Sequence, residues 1–402
     1  MEVQPRPAMN RLHRPPFWTS PLASLLLAFS PGAHAEARGT SEPDAERPAV
    51  SEPASPDSDR PIDEAAERRS EPGRSAPEVP PPPPWEAVEI LGTTLSTGTR
   101  GSARLVTSAS YSGNRIRVPV LMVRGAHPGR TMCLTSGIHG DELNGVEIVR
   151  RTMQRIDPER VHGTVIGLPV VNLHGFRRGE RDLPDRRDLN RHFPGRKKGS
   201  AASRVAYRVF SFLRAHCQEA IDFHTGSSRR TNFPQVRADT GDGAVLELAM
   251  RLSPPLIIHS EGSRGMLRRA LTDVGIHTVT YEAGEALRFQ LDVIEGVVHG
   301  VLDALQEDDR SITLPPAPDQ MPEVFLQSRW VRVDRGGILT NRVGLGESVK
   351  KGQLLGTVQT PFSDESYDIN ASHDGMIIGL AQPQLVLPGF AAFHLGFDPE
   401  QP

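Results

Sequence analysis

TMCLTSGIHGDELNGVEIVRRTMQRI, residues Thr131 to Ile156, reads as strand, turn and helix in succession. Thr131 to Ser136 is an apolar run of strand length that stops at Gly137. From Gly145 to Ile156 the apolar residues Val146, Val149, Met153 and Ile156 recur at helical spacing. The link between them, Ile-His-Gly-Asp-Glu, is polar and glycine-rich, so the backbone can turn sharply there. A strand that turns at a glycine into a helix is the repeating unit of α/β layer proteins.

The same alternation continues on both sides. Upstream, Val88 to Ser110 and Ile116 to Arg124 alternate as strands. Downstream, Val161 to Val171 is a strand, and Ser203 to Cys217 is a helix with Val205, Val209, Phe212 and Leu213 on one side. Ala220 to Phe223 is a short strand that delivers His224. Leu246 to Leu252 is helical, His277 to Tyr281 is a strand, and Leu287 to Leu305 is a final helix interrupted by glycines. Strands alternating with helices give an α/β catalytic domain over residues 85–311, with polar motifs just past the strand ends, where such sheets place their sites. From Glu323 the pattern changes to short strands and glycine turns: WVRV, GGIL, GESVKKGQLLGTV, INASHDGMIIGL, AAFHLG. Residues 323–398 therefore read as a small all-β domain.

The chain has 402 residues and a formal charge of −3, which gives no case for nucleic acid as a partner. Residues 1–35 have the form of an export signal: Arg6, Arg11 and Arg14, then the apolar PLASLLLAFS, then Ala33-His34-Ala35 as a small-x-small cleavage site. That run is too short to span a bilayer. Cleavage near Ala35 would make the mature chain periplasmic or secreted, with no membrane span. Residues 36–84, rich in Pro, Glu, Ser and Arg and ending in five prolines, read as a disordered tether. The two cysteines, Cys133 and Cys217, lie outside zinc-finger spacing and are expected to be buried free thiols, with a single disulfide as the alternative.

His139 and Glu142 stand three apart after the Thr131–Ser136 strand, and His224 follows a second strand in DFHTG. A catalytic zinc ion takes three nitrogen or oxygen ligands from the protein and keeps one position open. An H-x-x-E pair and a distant His supply that set. Asp222, two before His224, projects to the same side of a strand and is placed to hold the imidazole. Asp141 is expected to point away, as a solvated or capping acid. Glu282, after a third strand, is a candidate general base, with Glu285 as its competitor. In the Arg-rich loop 177–196, Asn190 and Arg191 offer an amide and a guanidinium fork suited to a carboxylate. One further arginine would polarise a carbonyl. Arg181 is favoured, with Arg177, Arg178, Arg186 and Arg187 left open. The remaining histidines read as structural or surface residues, with His192 a possible pocket neighbour.

Together G-I-H-G-D-E (Gly137–Glu142), D-L-N-R-x-F-P-G (Asp188–Gly195), D-F-H-T-G (Asp222–Gly226) and Y-E-A-G (Tyr281–Gly284) resemble the succinylglutamate desuccinylase/aspartoacylase family of the zinc carboxypeptidase clan. The resemblance covers roughly residues 95 to 305. It implies a phosphorylase/hydrolase-like three-layer α/β/α fold with a mixed sheet, and a separate β domain after it. It further implies one zinc per chain on His139, Glu142 and His224, Glu282 as base, and Asn190 with Arg191 on the substrate carboxylate. The C-terminal pattern looks like a lipoyl-type hammerhead, read as a lid or substrate-restricting domain rather than a carrier. The expected activity is hydrolysis of an amide in an N-acyl amino acid or a related small amide. An exported carboxypeptidase acting on peptides or peptidoglycan fragments, and a non-enzymatic periplasmic binding protein, are the alternatives. Oligomeric state is not readable.

Overall fold

The computed structural model describes residues 86–109, 113–306 and 321–398. The export-signal and tether readings lie outside them.

A β-ribbon, β1 (Val88–Ile90) and β2 (Thr93–Leu95), leads into β3 (Thr99–Ala109), β4 (Arg115–Arg124) and β5 (His127–Ser136). Helix α1 (Leu143–Arg155), strand β6 (His162–Leu168), helices α2 (Leu173–Arg178) and α3 (Ala201–His216), and strand β7 (Glu219–Gly226) follow. Then come β8 (Arg230–Ala238), α4 (Gly243–Arg251), β9 (Leu256–His259), α5 (Leu267–Thr272), β10 (His277–Glu285) and α6 (Leu291–Gln306). Strands β10, β7, β5 and β6 pair in parallel at the centre, while β8 and β4 run antiparallel on either side. The sheet is therefore mixed, as expected.

Alternation along the central strands divides the core between two helical layers. Cys133 and Ala220 face α3 and α5, where Val205, Val209, Leu213, Leu267 and Leu271 pack. Met132, Leu134, Ile221, Phe223 and Tyr281 face α1, α4 and α6, meeting Ile148, Val149, Leu248, Ile294 and Val298. The glycines of α6 do not interrupt it. A Cβ on Gly300 would lie 2.4 Å from the Leu252 carbonyl oxygen, so this glycine lets α6 press on the end of α4.

The free-thiol expectation is corrected. Cys133 on β5 and Cys217 at the end of α3 are joined by a disulfide, both buried in the α3–α5 core. Consecutive residues of the run had masked that the two thiols face the same layer.

The C-terminal strands are β11 (Glu323–Phe325), β12 (Gln327–Arg332), β13 (Gly337–Asn341), β14 (Ser348–Val349) and β15 (Leu354–Gln359). After them come β16 (Ser366–Asn370), β17 (Gly375–Ala381), β18 (Leu385–Val386) and β19 (Ala391–Phe397). They enclose a core of Leu339, Val349, Leu355, Ile377, Phe393 and Leu395. They are not separate from the first sheet. Strand β17 pairs with β8 and β11 pairs with β9, so the order β12-β19-β17-β8-β10-β7-β5-β6-β4-β3 runs through both regions. No helix among the described residues is long and apolar enough to cross a membrane.

Candidate active site

After β5 the backbone turns at Gly137, which has a φ of +61°. Glu142 then occupies the residue before α1, and its side chain makes no capping bond to the helix. The helix start is pressed on the sheet: a Cβ on Gly145 would lie 2.3 Å from Ser136 Oγ. The Glu142 carboxylate is thereby directed across the strand ends rather than to solvent. His224 lies inside β7, which continues to Gly226 instead of ending at Phe223 as its apolar run suggested.

These elements bring three donors to one point. His139 Nδ1 is 2.8 Å from Glu142 Oε1, His224 Nδ1 is 2.8 Å from Glu142 Oε2, and the two Nδ1 atoms are 3.2 Å apart. All three residues are buried, and their ligand atoms lie within 4.8 Å of one another. Ligands at 2.0–2.2 Å from a shared tetrahedral ion are roughly 3.4 Å apart, so this donor set fits a metal ion.

The outer nitrogen of each imidazole is held by a carboxylate. Asp222 Oδ2 is 2.8 Å from His224 Nε2, and Asp188 Oδ1 is 3.1 Å from His139 Nε2. Such partners fix the ring tautomer and present the other nitrogen to a metal. Asp222 matches its expected role. Asp188 had been passed over inside the DLNR motif, because only the fold brings it to His139. It also accepts from Arg181 Nη2 at 3.0 Å.

The electrostatics show how tightly these groups are coupled. Burial would raise the Glu142 carboxyl, but the two imidazoles overcome it and hold the group well below the usual carboxylate range. Burial would lower His224, yet Asp222 and Glu142 carry it well above the ordinary imidazole value. His139 is raised in the same way, against burial, by Glu142 and Asp188. Asp188 is held low, against burial, by His139, Arg181 and Arg191. Two carboxylates and Glu142 thus favour positive charge at the meeting point, which a metal cation also provides.

Glu282 is on β10, whose parallel register sets it directly beside His224. Side chains paired in this way share a face of the sheet. A bulge follows at once, before Gly284. The Glu282 carboxylate accepts from Asn232 Nδ2 at 2.8 Å and lies 3.8 Å from Arg237 Nε. Glu285 turns elsewhere, to Arg288 and Gln382, which leaves Glu282 as the acid facing the triad.

A cavity of about 510 Å³ is lined by His139, Glu142, His224, Glu282, Arg181, Asn190 and Arg191. All seven residues singled out from sequence therefore meet at one cavity. Arg177, Arg178, Arg186, Arg187 and His192 do not line it. Arg181 lies against the triad, with Nη1 3.2 Å from Glu142 Oε1 and bonded to Ser227 Oγ. Asn190 Oδ1 accepts from Leu267 N at 2.8 Å, which fixes its amide. The Arg191 side chain is 55% exposed and only loosely tied to Asp188, at 3.9 Å. Asp141 corrects the expectation of a solvated acid: it is buried, its Oδ1 makes no hydrogen bond, and burial raises its carboxyl.

Among the further lining residues that escaped the sequence reading are Asn232, Arg230 and Arg237 on β8, and Trp330 on β12. The signal for β8 was obscured by Pro234, which sits at an irregularity in the pairing with β10.

Residues 128–307 match the succinylglutamate desuccinylase/aspartoacylase catalytic domain. The chain is similar to this family over those residues. Among curated proteins it is similar to the N-alpha-acetyl-L-2,4-diaminobutyric acid deacetylase of Halomonas elongata, 26% identical over 297 residues, 68% of this chain and 84% of that one. Among solved structures it is similar in fold to a succinylglutamate desuccinylase/aspartoacylase from Rhodobacter sphaeroides, with a TM-score of 0.65 and 24% identity, over 74% of this chain and 96% of that one. The product-bound ectoine utilization protein EutE (DoeB) from Ruegeria pomeroyi gives a TM-score of 0.66 at 22% identity, over 78% and 98%. These matches extend the α/β family fold to this chain.

Proposed function

We propose that this chain is a zinc-dependent hydrolase that cleaves the amide of an N-acyl amino acid or a related small carboxylate-bearing amide. The observation that carries the reading is the convergence of His139, Glu142 and His224, with Glu282 beside His224 in the same cavity. The Halomonas relative, a deacetylase of an N-acetylated amino acid, supports the substrate class.

His139, Glu142 and His224 would hold the ion, a His₂Glu set that favours zinc among common divalent metals. Zinc, when bound, supplies Lewis acidity that activates water and polarises a carbonyl. Glu282 accepts the proton of the attacking water and passes it to the leaving amine. Its hydrogen bond from Asn232 orients the carboxylate for both tasks. Arg181, held against Glu142 and Asp188, places a guanidinium where negative charge develops on the carbonyl oxygen. Asn190 and Arg191 take the free carboxylate of the substrate. With Asn190 Oδ1 occupied by Leu267, its Nδ2 is the end left to donate.

Export to an oxidising compartment belongs to the same proposal. The buried Cys133–Cys217 disulfide and the apolar segment before Ala35 support it.

The test pairs metal content with a substrate panel. The purified protein should carry about one zinc per chain, lost in His139→Ala and in His224→Ala. The zinc-loaded protein should hydrolyse N-acyl amino acids faster than peptides. Wild-type protein that takes up no stoichiometric zinc would sink the hydrolase reading, and faster cleavage of peptides would turn it to a carboxypeptidase.

A further inference from the structure

One row of directly paired residues crosses five strands beside the cavity. Trp330 on β12 pairs with His394 on β19, His394 with Gly379 on β17, Gly379 with Asn232 on β8, and Asn232 with Gly284 on β10. Residues paired in this way share a face of the sheet. Trp330 and Asn232 line the cavity, and Asn232 Nδ2 donates to Glu282 Oε2 at 2.8 Å. The row therefore connects the C-terminal strands to the candidate base.

Two polar atoms in this row have no hydrogen-bond partner among the described residues. They are Asn232 Oδ1 and His394 Nδ1, and both are buried. Their side chains flank Gly379. A Cβ there would lie 2.8 Å from Asn232 Oδ1, 3.4 Å from His394 Cβ and 3.5 Å from the Thr231 carbonyl oxygen. The side chain that Gly379 lacks thus leaves room between an amide oxygen and an imidazole. The imidazole is fixed by packing: its ring lies against Trp330, with centres 4.4 Å apart and planes 8° from parallel. The Arg230 guanidinium adds to this stack, 5.2 Å from the centre of the Trp330 ring and 4.5 Å from that of Phe390. Burial, with Arg237 and Arg230 nearby, holds His394 well below the ordinary imidazole value, so the ring is neutral and carries one N–H.

A buried polar atom without a partner costs free energy, and a space lined by two or three such groups suits one ordered water. We infer that His394 is a positioning residue for Glu282: its Nδ1–H donates to a water held over Gly379, which donates to Asn232 Oδ1 and so fixes the end of the amide that faces the base. The Thr231 carbonyl is the water's second acceptor. Free to flip, the Asn232 amide would offer Oδ1 to Glu282 once that carboxyl had taken up a proton, and would retain the proton there. With Oδ1 engaged on the His394 side, Asn232 presents only N–H groups to Glu282. These favour the charged carboxylate and so promote release of the proton to the leaving amine. The inference rests on the amide-hydrolase reading and adds to it a C-terminal residue that does not itself line the cavity.

The test is a double-mutant cycle on the zinc-loaded protein, read with the N-acyl amino acid that it hydrolyses fastest, together with a crystal structure. His394→Phe keeps a flat ring against Trp330 and removes the N–H. Its kcat should fall by about 3–10-fold, the range of one neutral hydrogen bond, with KM and zinc content unchanged. His394→Asn loses the stack but returns an N–H near the position of Nδ1, and should recover most of the rate. In an Asn232→Ala background, which has already lost the amide, His394→Phe should cost nothing further. A residue that only supports the fold would give additive losses instead, and no recovery in His394→Asn. Unfolding midpoints check that each variant is folded. The crystal structure should show the water within hydrogen-bond distance of His394 Nδ1 and Asn232 Oδ1.

Additive losses in the cycle, an unchanged kcat in His394→Phe, or a crystal structure without the bridging water would overturn the inference. The crystal structure also separates the two claims. If no amide is turned over but the water joins His394 to Asn232, the positioning of Glu282 stands and the hydrolase reading fails. If amides are cleaved and His394→Phe keeps the wild-type kcat, the hydrolase reading stands and the role of His394 fails.

Discussion

At the scale of single residues, the site depends on side chains that the sheet sets in register. Glu282 stands beside His224 through the β10–β7 pairing and is oriented by Asn232. Glu282→Gln keeps the size and can still bond Asn232, but it cannot accept a proton. We expect kcat to fall by about 10³-fold, within the range for loss of general acid–base catalysis, with zinc content unchanged. A variant that keeps the wild-type rate would remove Glu282 from the mechanism. Asp188→Asn tests the other kind of role. It should weaken zinc binding by about 10–100-fold in competition with a chelator, because His139 would lose the carboxylate that fixes its ring. An unchanged affinity would assign Asp188 to Arg181 alone. The pair also marks what a sequence discloses. Asp222 is legible because two residues along a strand return to one face. Asp188 is not, since 49 positions separate it from His139, with α1, β6 and α2 in between.

At the scale of elements, the strands that carry the motifs were readable, and their extents were not. Apolar runs showed β5, β7 and β10 up to the motif, but β7 and β10 continue through His224 and Glu282 because backbone pairing persists where side chains turn polar. Strand β8 stayed hidden behind Pro234, and with it Arg230, Asn232 and Arg237. The disulfide was also open from sequence, since neither spacing nor hydrophobicity says whether two buried thiols face one another. It ties β5 to the end of α3 across a sequence separation of 84. Closing a loop of that length stabilises the folded chain by about 4.5 kcal/mol in the chain-entropy picture. Unfolding in guanidinium should therefore move to a lower midpoint when Cys133→Ala and Cys217→Ala are combined, with a steeper slope because the unlinked denatured chain exposes more surface. A midpoint that does not move would show that the bond contributes nothing in this protein.

At the scale of the whole molecule, the C-terminal strands are read from sequence as an independent domain, yet their hydrogen bonds extend the catalytic sheet. Glycine turns and short runs disclosed the strands themselves. They could not disclose that β17 and β11 pair with β8 and β9. The joint is apolar as well as hydrogen-bonded: Leu256 and Ile258 of β9 pack with Phe325 of β11 and Ile378 of β17, all buried. A chain ending at residue 320 would expose that cluster and leave β8 and β9 with unpaired edges, which invite association with other chains. It would also strip Trp330 and Phe390 from Arg230. We expect such a chain to aggregate, and the longer chain to unfold in a single calorimetric transition with matching calorimetric and van't Hoff enthalpies. A soluble, cooperatively folded fragment alongside two transitions in the longer chain would mean that the C-terminal strands dock as a separable lid. In that case Trp330 would meet the substrate only on closure. A single transition instead makes the cavity wall permanent, with Trp330 in place before substrate arrives.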